Sequence, residues 1–218
     1  MATLFDILAF AIFIAGILSI VRWNVIDKSF RPFILLVWLA CINETLGYAL
    51  AANGFTTTLN TNIYLLSEAL TVIWFFYKQG IFKNTPGFGA FIAILFFCLW
   101  FIETFIWKSR YGLDLRFQII YSIVIVLISI HAINQLLEHN RSGLLNDPLF
   151  LICIGFISYF TFTAFVHILW YYAFTKSITL LQNIFFIKLA INFISNIIYA
   201  FAVLRMPVNY IKLANNRY

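Results

Sequence analysis

Six ionisable side chains fall inside long apolar runs of this chain: Glu44, Glu68, Glu103, His131, His167 and Lys188. A charge at mid-bilayer costs about 3 kcal/mol on insertion scales, so such groups face a bundle interior or a wet cavity and not acyl chains. Their neighbours lie on organised faces. In the second apolar segment Ala40, Cys41, Glu44, Gly47, Tyr48 and Ala51 follow the three-and-four spacing of one helix side, a small-residue seam with a single carboxyl group. The third offers Tyr64, Glu68 and Thr71, and the sixth an every-fourth row of Gly155, Tyr159, Thr163, His167 and Tyr171. The seventh carries a polar stripe, Lys188, Asn192, Ser195, Asn196 and Tyr199, which has to face protein or water.

Depth suggests what these groups could do together. At 1.5 Å per residue Glu44 lies about 18 Å from the start of its helix, Glu68 about 11 Å and Lys188 about 15 Å from the starts of theirs. One cation then shares a layer with two carboxyl groups, and Lys188 is expected to pair with Glu68, Glu44 or both. Proton or ion coupling would require a carboxyl group to titrate in the working range. The same charges could equally serve docking, fixing how helices two, three and seven meet. The candidate substrate or ion site is Glu44, Tyr48, Tyr64, Glu68, His167, Lys188, Asn192 and Asn196. Glu103, one turn from Trp107 and Lys108, is expected to snorkel to the interface, as is Asp6. His131 shares a face with Asn134, Gln135 and Glu138, which suits a wet vestibule.

Other chemistries lack their residues. A membrane zinc hydrolase needs three protein ligands and a water, yet His131, His139 and His167 are scattered, without H-x-x-x-H or H-E-x-x-H spacing. No G-x-S-x-G, Walker or G-x-G-x-x-G pattern occurs. No catalytic residue, metal or cofactor is therefore expected.

The elements that must position the site are transmembrane helices. Hydrophobic residues make up 63% of the 218, charged residues only 10%, and mean hydropathy is +0.95, so the outer shell must be apolar too and its solvent is a bilayer. Seven continuous apolar segments are long enough to span: 3–21, 33–52, 61–77, 88–107, 117–137, 149–174 and 178–204. Breaks rich in Gly, Pro, Asn and charge separate them, with a tight turn at 175–177 before the last. Continuous apolar runs exclude a β-barrel. The first segment lacks a basic leader and a cleavage pattern, so it is expected to be retained.

Net charge is +6, and it sorts by side. An outside N-terminus puts Arg22, Lys28, Arg31, Lys78, Lys83, Arg141, Arg205, Lys212 and Arg217 in the cytoplasm, against Lys108, Arg110, Arg116 and Lys176 opposite. Nine against four favours N-out and C-in. Cys41, Cys98 and Cys153 fall within spans and suit packing. Trp23, Trp74, Tyr77, Trp107, Tyr111, Trp170, Tyr171 and Tyr172 lie near span ends, where aromatic belts form, and are not assigned to nucleic acid. Shifting the first three segments by 116 positions lays Pro32 on Pro148, each opening a helix, as a duplication would. The expected fold is thus an all-α membrane protein: one domain over 1–218 of seven transmembrane helices, N-terminus outside, C-terminus cytoplasmic with 205–218 as a tail, and a 3+1+3 parallel repeat.

The stretches Asn43-Glu44-Thr45-Leu46-Gly47-Tyr48 and Asn62-Ile63-Tyr64-Leu65-Leu66-Ser67-Glu68 resemble a pattern in small uncharacterised bacterial seven-helix integral membrane proteins. That resemblance, confined mainly to helices two and three, implies that Glu44, Tyr48, Asn62, Tyr64 and Glu68 form a shared site. In size and layout the chain is also similar to SWEET and PQ-loop transporters and the KDEL receptor, although no span contains a Pro-Gln dipeptide.

Function is accordingly expected to be that of a small multi-pass transporter or channel-like protein of the plasma (inner) membrane, with its site formed by helices 2, 3, 6 and 7. Its partners would be the lipid bilayer and a small solute or ion, not nucleic acid, and an oligomer is compatible with the sequence. The alternatives are a membrane receptor or sensor that signals through a separate partner protein, docked on the short loops and basic tail, and an intramembrane metal-dependent enzyme using Glu44, His131 and His167.

Overall fold

The computed structural model describes residues 10–85, 87–107, 112, 114–139, 143–173 and 178–207, without the side chains of 171–173, 178–182 and 185. Among the described residues seven α-helices follow one another: α1 Ile12–Arg22, α2 Arg31–Ala52, α3 Thr58–Lys78, α4 Phe88–Phe101, α5 Leu115–His139, α6 Pro148–Ala173 and α7 Ile178–Arg205. The described residues are 85% helical, with no strand among them. A π-helical turn, Ile102–Trp107, continues α4.

Five of these elements, those containing α2, α4, α5, α6 and α7, are long and apolar enough to cross a membrane. At 1.5 Å per residue, α3 is long enough as well, about 31 Å, but less apolar because it carries Asn60, Asn62, Tyr64, Ser67 and Glu68. The first nine residues of the chain, the turn at 175–177 and most of the basic tail lie outside the described residues, as does Asp6.

Local chemistry sets the helix ends. Pro32 stands in the first turn of α2 and Pro148 opens α6, where a missing N–H costs nothing. Asp147 caps α6, its Oδ1 accepting from Leu149 N at 2.7 Å. Asp27 caps the short turn Lys28–Phe30 by accepting from Ser29 N at 2.8 Å and Ser29 Oγ at 2.7 Å, and these bonds hold its carboxyl below the usual aspartate value. The Arg22 guanidinium donates to the carbonyls of Val203 and, at 3.1 Å, Met206, placing a cation on the final carbonyls of α7.

Each helix packs against its chain neighbours and α7 closes on α1, so the helices form a ring. Its interior is aromatic. Phe33, Phe75, Phe156 and Tyr199 meet with ring centroids 5.4 to 6.1 Å apart. Gly155 lets α7 approach α6, since a Cβ there would lie 2.3 Å from the Tyr199 ring. The outside is apolar: Ile17, Phe91, Ile94, Leu127, Phe165 and Phe201 are all exposed, as a lipid-facing surface requires.

Candidate functional site

Helices α2, α3, α6 and α7 enclose a cavity of about 330 Å³, completed by Ile12 of α1 and Gln118 of α5. Of the eight residues expected from the sequence, six line it: Glu44, Tyr64, Glu68, Lys188, Asn192 and Asn196. The charged layer lies within the bundle. Counted along the helices at 1.5 Å per residue, Glu44 is about 12 Å, and Glu68 and Lys188 each about 15 Å, from the end that carries the α2–α3 connection.

Glu68 is only 4% exposed. Tyr64, one turn earlier on the same helix, donates its hydroxyl to Oε1 at 2.8 Å, and Tyr121 of α5 donates to Oε2 at 2.5 Å. Tyr121 is itself fully buried, its ring held by Phe96, Phe117 and Phe160 at 5.0 to 6.2 Å, so the second donor has a fixed position. Both carboxyl oxygens are thereby satisfied within the chain.

Glu44 and Lys188 are different. Both are half-buried and face the cavity, yet among the described residues neither makes a hydrogen bond nor an ion pair within 4.0 Å. Lys188 therefore borders the same cavity as Glu68 and Glu44 without touching either. The rest of the α7 stripe also turns inward: Ser195 is fully buried, Asn196 and Tyr199 nearly so, and Asn196 Nδ2 donates to Asn192 Oδ1 at 3.5 Å.

A second cavity of about 320 Å³ opens at the α2–α3 end, lined by Phe10, Gly47, Tyr48, Thr57 and Asn60, and it shares Asn43, Glu44 and Thr61 with the first. Glu44 thus stands where the two meet. Asn60 Nδ2 donates to Asn43 Oδ1 at 2.8 Å, tying α3 to α2 there. Tyr48 belongs to this outer space, 61% exposed, with its ring edge on Phe10. Beyond Glu44 the small-residue seam of α2 thus borders this outer cavity, and a Cβ on Gly47 would meet nothing within 4 Å.

His167 is buried but does not line the main cavity. Its Nδ1 lies 2.6 Å from the Thr163 carbonyl, and because a carbonyl only accepts, that nitrogen carries the hydrogen. His131 is exposed, 2.9 Å from Gln135 on its own helix. Among the described residues no three His, Cys, Asp or Glu side chains are grouped closely enough to hold a metal ion.

The sequence did not single out Tyr121, and it placed Tyr159 and Tyr199 on organised helix faces and Asn43 in a motif without assigning them to the site, whose cavity they line. For Tyr121 a signal existed: Gln118, Tyr121, Ser122, Ile125 and Ser129 follow helical spacing along α5, and the structure buries all five.

Glu103 corrects an expectation. It does not snorkel but is 4% exposed, its carboxylate accepting from the backbone N–H of Arg116 at 3.0 Å and of Phe117 at 2.5 Å. The π-helical turn carries it over the start of α5, where a negative charge meets unpaired N–H groups and the positive end of the helix dipole. Around it, Thr104 donates to Asp114 at 2.5 Å, Asp114 N donates to Asn62 Oδ1 at 3.3 Å, and Asn62 Nδ2 donates to the Gly112 carbonyl at 2.8 Å. Trp100 Nε1 adds a bond to the Asn62 carbonyl at 2.9 Å. Burial raises the Asp114 carboxyl above its ordinary value, with the Thr104 bond opposing.

Apolar-faced helices around a partly open cavity with polar lining define the class: an all-α membrane protein. Comparison with protein-family models, with curated proteins and with solved structures finds no match to this chain.

Proposed function

We propose that this chain is a small transporter or channel-like protein whose solute or ion site is the cavity between α2, α3, α6 and α7. One observation carries the reading. Lys188 and Glu44 border a common cavity as charges with no direct partner among the described residues, whereas an ion pair built to dock helices would be closed. The second cavity, contiguous through Glu44, supplies an approach from the α2–α3 end. Glu44, Glu68 and Lys188 supply charge, and Tyr64, Asn192 and Asn196 supply hydrogen bonds. Tyr48 belongs to the approach and His167 supports α6 from behind.

In this reading the N-terminus is outside, the C-terminus cytoplasmic, and the membrane is the bacterial plasma membrane, with the approach on the outer side. The 3+1+3 repeat and kinship with small bacterial seven-helix membrane proteins belong to the same proposal. Uptake of radiolabelled amino acids, sugars and monovalent cations into proteoliposomes tests it. Uptake by the unaltered protein of at least one of these, abolished in Glu68→Gln and Lys188→Met, is the expected result. Uptake indifferent to both substitutions would exclude the cavity as the pathway.

A further inference from the structure

Resting on that reading of the cavity, we infer that its ligand is a small zwitterion with an apolar body, of the chemical class of a bulky apolar α-amino acid. The distribution of satisfied and unsatisfied charge is the reason. Glu68 meets the hydroxyls of Tyr64 and Tyr121, so neither of its oxygens awaits a donor. Among the described residues lining one cavity, Glu44 offers acceptors without a donor and Lys188 offers donors without an acceptor.

A ligand that brings one ammonium and one carboxylate completes both. The charges then alternate from Glu44 through the ligand's ammonium and carboxylate to Lys188 and on to Glu68, so every neighbour along the line is attractive. An amine alone would leave Lys188 without an acceptor, and an acid alone would leave Glu44 without a donor; in a site of low dielectric each omission is costly. The rest of the lining selects an apolar body. Phe33, Leu36, Val37, Phe156 and Phe160 line the cavity on the side of the charged layer away from the α2–α3 connection, and about 330 Å³ is at the small end of ligand sites.

Three matched probes decide the matter on the unaltered protein in detergent: L-phenylalanine, 2-phenylethylamine, which lacks the carboxylate, and 3-phenylpropionate, which lacks the ammonium. Binding is read by equilibrium dialysis. L-phenylalanine is expected to bind about thirtyfold more tightly than either analogue, as the loss of one desolvated charged contact implies. In Lys188→Met that advantage over the amine should disappear, and in Glu44→Gln the advantage over the acid. Equal binding of the amine and the amino acid, or binding of none of the three, overturns the inference. These outcomes are separable from failure of the cavity as a pathway: uptake that needs Glu68 and Lys188 with a preference for simple amines would retire the zwitterion and leave the site.

Discussion

Glu68 and Glu103 are buried to the same extent, each 4% exposed, but their surroundings could hardly differ more. Glu103 accepts from two backbone N–H groups at the start of α5, donors that cannot turn round. Glu68 accepts from two tyrosine hydroxyls, each able to donate or accept, and it looks into a cavity where Lys188 stands free of contact. The rim carboxylate is locked into architecture, while the interior one sits in a network that tolerates a change of protonation or partner. Equal burial therefore does not mean equal role; the kind of donor separates them.

The isosteric change Glu103→Gln tests the locked half of that contrast and should have the largest effect. An amide presents one acceptor, so its NH2 faces a backbone N–H with no alternative, and the charge at the helix start is lost. Thermal or denaturant unfolding in detergent should show a loss of about 3 kcal/mol. Solute uptake should persist in the protein that remains folded. A loss below 1 kcal/mol would mean that the cap is not what holds α5.

Tyr121→Phe comes next, with a loss of about 1.5 kcal/mol, because it leaves one buried carboxyl oxygen of Glu68 without a donor. The ring contacts with Phe96, Phe117 and Phe160 survive the change, so a much larger loss would contradict a hydroxyl-specific role. Glu68→Gln should cost less still, under about 1 kcal/mol, since both hydroxyls can reorient to serve an amide. Stability nearly unchanged with uptake abolished is the signature expected of the interior site. If Glu68→Gln destabilised as strongly as Glu103→Gln, the two carboxylates would be doing the same structural job.

How much of this was legible beforehand follows from what periodicity can encode. From Arg31 onward the hydropathy runs match the helix bounds to within three residues, and five of those helices are long and apolar enough to span, because in lipid a backbone has to satisfy itself and the segment must match the bilayer. The α7 stripe was legible for the same reason: Lys188, Asn192 and Asn196 could face only inward. Tyr48 and His167 were less so, since spacing gives a helix face but not where along that face the next helix departs. Past Glu44 that face of α2 borders the outer cavity, and Tyr48 comes out 61% exposed. Spacing marked the face of Tyr121 but not its bond to Glu68, because that partner is 53 residues away in sequence, on α3. Glu103 was misjudged because its place one turn from Trp107 and Lys108 points to the interface, while the N–H groups that hold it belong to Arg116 and Phe117, 13 and 14 residues on.

The smallest effects come from two aspartates outside the spans, and their opposite signs extend the comparison to the loops. Asp27, held below its ordinary value of 3.8 by the Ser29 bonds, adds stability at neutral pH that is lost as pH falls through its folded value. Asp114 is raised above 3.8 by burial, so its contribution is present below that value and lost as pH rises through its folded value. Asp27→Ala should thus cost about 0.5 kcal/mol at neutral pH and flatten the acid limb of the melting profile. Asp114→Asn keeps an acceptor for Thr104 and removes the buried charge, so it should stabilise slightly at neutral pH with the gain fading below about pH 4. Melting temperature against pH for the three proteins reads both signs at once. Two curves displaced in the same direction would mean that the Asp114 cluster is wet, and that the rim is not the closed structure which sets it apart from the cavity.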